Sequence, residues 1–154
     1  MLELLIKPHE SIGPIRLGVS RLEMQKVLSD YGLLFKCSRK MLDYFCDASI
    51  QIEYEADETA SFIGVSFHAS YTCSYKGKNV FDTPAEELFA LMADGEEGRT
   101  NLTFNEHGYT FPTQILTLWD ADPQYDRVGG EVRFIWAQVG IGDARYLAAT
   151  SKYK

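Results

Sequence analysis

Ile50-Gln51-Ile52-Glu53-Tyr54-Glu55-Ala56-Asp57-Glu58-Thr59 decides the architecture, because its apolar side chains fall on every second residue. A period of two buries one face of a strand, and here it leaves Gln51, Glu53 and Glu55 on the other. Ala56-Asp57-Glu58-Thr59 is a polar turn, and Phe62-Ile63-Gly64-Val65-Ser66-Phe67 returns as a second strand. The stretch therefore reads as a β-hairpin with an acidic tip.

Upstream, Gly18-Val19-Ser20-Arg21-Leu22-Glu23 is a capping box: Ser20 accepts from the amide of Glu23, whose carboxylate can reach back. Leu22, Met24, Val27, Leu28 and Tyr31 follow near helical spacing, and Gly32 supplies a left-handed stop, which predicts a helix from Arg21 to Tyr31. The preceding Ile12-Gly13-Pro14-Ile15-Arg16-Leu17-Gly18 is too rich in Gly and Pro for a helix and reads as an extended lead. Leu33 to Cys37 and Leu42 to Cys46 are candidate strands between helix and hairpin.

Downstream, Asp82-Thr83-Pro84-Ala85-Glu86 repeats the device, with Thr83 as N-cap, Pro84 at the first helical position and Glu86 closing the box. Leu88, Leu91 and Met92 give the second helix its stripe, ending near Asp94-Gly95. Tyr109 to Phe111, Gln114 to Trp119 and Val132 to Val139 read as strands, with the polar run Ala121 to Asp126 connecting the last two. The same order of capped helix and hairpin thus occurs twice, in halves 12–76 and 77–150. The expectation is one α+β domain over residues 1–154, with two short capped helices packed on a mostly antiparallel β-sheet as two α-β-β pseudo-repeats. Its core should hold Met24, Val27, Leu28, Ile52, Tyr54, Val65, Phe67, Leu88, Leu91, Phe134 and Trp136.

The 154 residues carry fifteen Lys and Arg against twenty-two Asp and Glu, a formal charge of -7, which argues against direct binding of nucleic acid through its phosphates. A basic partner is the electrostatic complement. The start, Met1-Leu2-Glu3-Leu4-Leu5-Ile6-Lys7, lacks a basic n-region and a cleavage site, and no apolar run reaches the roughly 20 residues of a membrane span. Three irregularly spaced cysteines, Cys37, Cys46 and Cys73, suit reduced thiols. A cytoplasmic protein without a membrane contact is expected.

Reactive constellations are missing a member wherever they begin to form. His9, His68 and His107 have no helical metal spacing, and the cysteines form no C-x-x-C. Asp120, Asp122 and Asp126 imitate a calcium loop, but Tyr125 stands where such a loop turns on Gly. Neither a Gly-rich phosphate cradle nor a G-x-S-x-G elbow is present. No catalytic residue, metal or cofactor is expected. What remains is a docking face: Glu53, Glu55, Asp57 and Glu58 on the first hairpin, and Asp120, Asp122, Tyr125 and Asp126 on the second, with Tyr71, Tyr75 and Trp119 as aromatic anchors.

Ile12-Gly13-Pro14-Ile15-Arg16-Leu17-Gly18-Val19-Ser20-Arg21-Leu22-Glu23 resembles the opening of small bacterial immunity-type proteins linked to polymorphic and contact-dependent inhibition toxins. Asn79 to Leu88 and Tyr109-Thr110-Phe111-Pro112 are similar to later segments of that group. The resemblance implies an immunity protein that neutralises a cognate toxin, a basic nuclease domain, by stoichiometric binding. It lies in caps and turns and transfers no catalytic residue. The opening of the first helix is also similar to that of outer-membrane assembly lipoproteins and a tandem-repeat β-lactamase inhibitor protein, although the lipobox cysteine and the disulfides of those proteins are lacking. A general protein-binding adaptor and a small enzyme with a dispersed site are the alternatives.

Overall fold

In the computed structural model, residues 1–98, 102–125 and 132–151 are described. The chain runs β1 (Leu2–Lys7), β2 (Ser11–Ile12), β3 (Ile15–Arg16), α1 (Arg21–Asp30), β4 (Phe35–Arg39), β5 (Leu42–Phe45), β6 (Ile50–Tyr54), β7 (Ala60–Val65), β8 (Tyr71–Tyr75), β9 (Lys78–Asn79), α2 (Ala85–Asp94), β10 (Gly108–Phe111), β11 (Leu116–Tyr125), β12 (Val132–Gly142) and α3 (Ala144–Ser151). The fold is α+β, with two mostly antiparallel sheets.

The larger sheet has the order β10-β11-β12-β7-β6-β5-β4, with every pairing antiparallel. The two hairpins of the sequence meet in its middle, where Val139 faces Val65 and Ile141 faces Ile63. Alternation sends Ile52, Ile63, Val65, Leu118, Val139 and Ile141 to one side, where they are buried with Met24 and Leu28 of α1 and Leu88 and Met92 of α2. A smaller sheet, β3-β2-β1-β8-β9, closes the same apolar cluster through Leu4, Ile6, Ile12, Ile15, Tyr71, Cys73 and Tyr75. Its parallel pairing of β1 with β8 joins residues about seventy positions apart, which no local pattern announces.

Half of the first capping box forms; the Glu23 carboxylate accepts no return bond from Ser20. Ser20 Oγ accepts from the Glu23 amide at 3.3 Å, and Gly32 turns out of α1 at φ +75°. The second is corrected. Pro84 holds the N-cap position without a side-chain bond, because the buried Thr83 hydroxyl donates to the Asn79 carbonyl at 2.6 Å instead. Core expectations fail at four places. Val27 and Leu91 lie at stripe edges and are only half-buried. Phe67 lies beyond the end of β7, and Phe134 faces an open cleft beside Pro84 and Phe104, so both are exposed. The expected polar connection Ala121 to Asp126 is strand as far as Tyr125, with Asp122 opposite Ile135; Asp126 lies outside the described residues.

Candidate functional site

The outer face of the large sheet is built on missing side chains. On β7 and β12, Gly64 lies opposite Gly140, and both point away from the core. A Cβ at Gly140 would stand 2.7 Å from the Phe62 ring, and one at Gly64 would stand 2.7 Å from Gln138 Cδ. The glycines thus let Phe62 lie flat on the sheet and Gln138 cross to the next strand. Tyr146 of α3 stacks on Phe62 with ring centroids 4.5 Å apart, so α3 caps this half of the face. Gln138 Nε2 donates to Gln51 Oε1 at 3.4 Å, and Gln51 Nε2 donates to Glu53 Oε2 at 3.2 Å. Toward β10 the face stays open as a cleft of about 360 Å³, with Thr117, Trp119, Gln138, His107 and Tyr146 among its walls. Trp119 is 58% exposed there.

The acids of the first hairpin are spoken for within the chain. Glu53 is half-buried beside Gln51, and its pKa is raised by burial, with Glu55 adding to the rise. Glu55 accepts from the Ser61 hydroxyl at 2.6 Å. Asp57 accepts from the Thr59 hydroxyl and amide and from Arg145 Nη1 at 3.3 Å; these bonds, those of Thr59 foremost, hold its pKa below the usual range. Glu58 lies 3.9 Å from the Arg21 guanidinium. Arg145 itself is fixed by Asp143, at 2.8 Å, at the N-terminus of α3.

The second hairpin is different. Asp120 takes a left-handed backbone at φ +55°, and its neighbour Ala121 donates to the Glu106 carbonyl at 2.8 Å. The Asp120 and Asp122 carboxyl groups lie within hydrogen-bonding reach, and that bond first, then desolvation and the Asp120 charge, raises the Asp122 pKa. No Lys, Arg or His of the described residues forms an ion pair with either. Tyr125 pairs through its backbone with Val132 at the far end of β11. Of the aromatic anchors expected from sequence, Trp119 is on the surface, whereas Tyr71 and Tyr75 are buried and donate to Ser49 and Gln114. They are structural, not docking, residues.

Two carboxylates outside the candidate docking face are buried. Asp43 is fully buried and receives Arg21 Nη2 at 2.7 Å, Ser38 Oγ at 2.5 Å and Gln25 Nε2 at 3.1 Å. Burial pushes its pKa up, but these bonds outweigh burial and leave it lowered. The cluster ties α1 to β5, and Arg21 also sits 5.0 Å from the Tyr54 ring centroid. Glu96 is held below the usual range in the same way: burial raises it, and the amides of Thr113 and Gln114 bring it down. Asp43, Glu53 and Glu96 line neither the Trp119 cleft nor the cleft of about 410 Å³ between Pro84, Phe104 and Phe134. Among the described residues there is no group of three or more His, Cys, Asp or Glu that could hold a metal ion, and no helix is long and apolar enough to cross a membrane. The three cysteines are unpaired. No protein-family model matches the chain, and neither a curated protein nor a solved structure matches it.

Proposed function

We propose that this protein is a cytoplasmic immunity protein that neutralises a basic toxin domain, a nuclease, by stoichiometric binding, and that the contact centres on Trp119, Asp120 and Asp122. The observation that carries this reading is the facing pair Asp120 and Asp122, left without a cation among the described residues beside an exposed tryptophan. Two carboxylates that repel each other gain most from a Lys or Arg brought by a partner, and a neighbouring indole adds apolar and cation–π contact. The net charge of -7 steers a basic domain inward, raising association by about 10- to 10³-fold at low salt. The first hairpin, with its carboxylates already partnered, contributes to that field more than to the contact.

The test pairs the protein with a basic toxin domain encoded beside it. Host cells expressing that domain should survive only when the protein is present. Trp119→Ala should weaken the complex by about 2 kcal/mol or more, chiefly through faster dissociation. Asp120→Asn with Asp122→Asn should slow association and flatten its salt dependence, more than Glu53→Gln with Glu55→Gln does. Survival of toxin-expressing cells without the protein defeats the immunity reading, and unchanged binding in both variant sets removes the second hairpin from the interface.

A further inference from the structure

β4 ends the order of the large sheet, so one side of its backbone has no ladder partner among the described residues. All five of its residues are exposed, and the exposure continues through Lys40 and Met41. Edge strands invite pairing, and proteins ordinarily shorten, cover or charge them. This edge is charged with one sign only. Between Tyr31 and Leu42 there is no Asp or Glu, whereas Lys36, Arg39 and Lys40 place three of the chain's fifteen basic residues on or beside one strand of an acidic protein. None of the three forms an ion pair with a described carboxylate; the nearby Asp43 is consumed by Arg21.

The edge also carries apolar surface. Leu34 is 67% and Phe35 52% exposed, and Phe35 packs edge-on against buried Phe45 at 5.8 Å between centroids. Phe35 therefore covers the end of the core with one side of its ring and leaves the other side to solvent. An arriving strand would find open amides and carbonyls, an aromatic shelf and three uncompensated cations.

We infer that β4 is a docking edge for an extended, acidic segment of a partner protein, which adds to the sheet as an eighth strand. Charge selects this occupant. A second copy paired edge to edge would set Lys36, Arg39 and Lys40 against themselves, and like charges directly across a strand pair are destabilising. The same cations that keep copies apart admit a segment with Glu or Asp at alternate positions, combining exclusion with attraction in one strand. Backbone pairing supplies affinity and the side chains supply the choice of sequence. This surface is separate from the Trp119 region and takes a partner of opposite charge.

The probe is a fluorescent octapeptide of alternating Val and Glu, with a Val–Lys octapeptide as its counterpart. The Val–Glu peptide should bind saturably, weaken with salt, and slow hydrogen exchange of backbone amides within Phe35 to Arg39. Lys36→Glu, Arg39→Glu and Lys40→Glu together should weaken it by about tenfold or more and favour the Val–Lys peptide, with the far-UV spectrum and Tm retained because these side chains are exposed. Asp120→Asn with Asp122→Asn should leave peptide binding unchanged, so this edge and the proposed immunity function fail independently. No binding up to millimolar peptide, binding without protection in β4, or equal binding of both peptides overturns the inference. Displacement of the peptide by single-stranded RNA that leaves the β4 amides unprotected assigns the cations to a nucleic acid instead and overturns it as well.

Discussion

The two hairpins occupy matching places in the large sheet, meeting along β7 and β12, yet their acidic residues are arranged in opposite ways. On the first hairpin and the strand beside it the carboxylates have been answered from within the chain: Asp43 by Arg21, Glu53 by Gln51, Glu55 by Ser61, Asp57 by Thr59 and Arg145, Glu58 by Arg21. In the second hairpin Asp120 and Asp122 interact with each other, and neither has an ion pair among the described residues. The outer face divides along the same line, since Phe62 and α3 close it over β7 while the side toward β10 stays open at Trp119. A cluster of acids in a sequence is thus not yet a docking surface. What matters is which cations the fold returns to it, and those come from residues as distant as Arg145.

The sharpest way to break the contrast is at its most closed member. Asp43→Ala removes a fully buried partner and leaves Arg21, Ser38 and Gln25 without their acceptor, so it should cost about 3 to 5 kcal/mol and loosen α1 from β5, measurable by denaturant unfolding. Because the Asp43 pKa is lowered on folding, its contribution is fully present above the ordinary carboxylate range. It is lost as pH falls through the lowered value. The Tm gap between parent and variant should therefore narrow in acid.

A smaller effect is expected from Gly140→Ala. The added Cβ would stand 2.7 Å from both the Phe62 ring and Thr117 Oγ1, so the ring must lift and the stack with Tyr146 must open. Overpacking of this kind costs about 1 to 3 kcal/mol. A changed near-UV spectrum with intact far-UV signal would place the damage at that stack, whereas an unchanged Tm would mean the two halves of the face are not distinguished by Phe62. Arg145→Ala should be milder still, because the guanidinium is partly solvated and exposed ion pairs contribute little. Its informative outcome is electrostatic: it frees Asp57 and Asp143, making the first hairpin resemble the second. Association with a basic partner should then quicken, and the Asp57 pKa, followed by NMR, should move up toward its ordinary value.

Local chemistry made part of this legible. The Ser20 cap, the period-two strand Ile50 to Tyr54 and its hairpin partner were readable because each depends on residues within a few positions. The α+β class follows from those elements, and the order of the large sheet sets β7 of one half beside β12 of the other. Thr83 misled because its hydroxyl satisfies the cap pattern in sequence but finds a better acceptor once buried. The parallel β1–β8 pair and the Arg21–Asp43 cluster depend on partners far along the chain, and nothing local marks them. Signals for the outer face did exist. Gly64 and Gly140 stand inside otherwise apolar strands, a mark of close approach, and Asp143 precedes α3 as an N-cap whose carboxylate accepts from the Arg145 and Tyr146 amides.

The smallest expected change in stability has the most to say about the comparison. Asp122 is the mirror image of Asp43: its pKa is raised, first because its protonated form shares a hydrogen bond with Asp120 and further because the Asp120 charge disfavours a second negative one. An acid whose pKa rises on folding binds its proton more tightly in the native state, so ionisation weakens the fold as pH climbs from the ordinary carboxylate value through the raised one. Asp122→Asn removes that repulsion without removing a cation pair. Its Tm should sit slightly above the parent's near neutral pH, and the gain should vanish in acid, where Asp122 is already protonated. The same substitution should weaken the grip on a basic partner, since the repulsion that a Lys or Arg would have relieved is gone. Stability and affinity then move in opposite directions, which a carboxylate with a structural role does not do. A variant less stable than the parent at neutral pH would show that Asp122 is answered from within the chain after all, and the contrast between the hairpins would collapse.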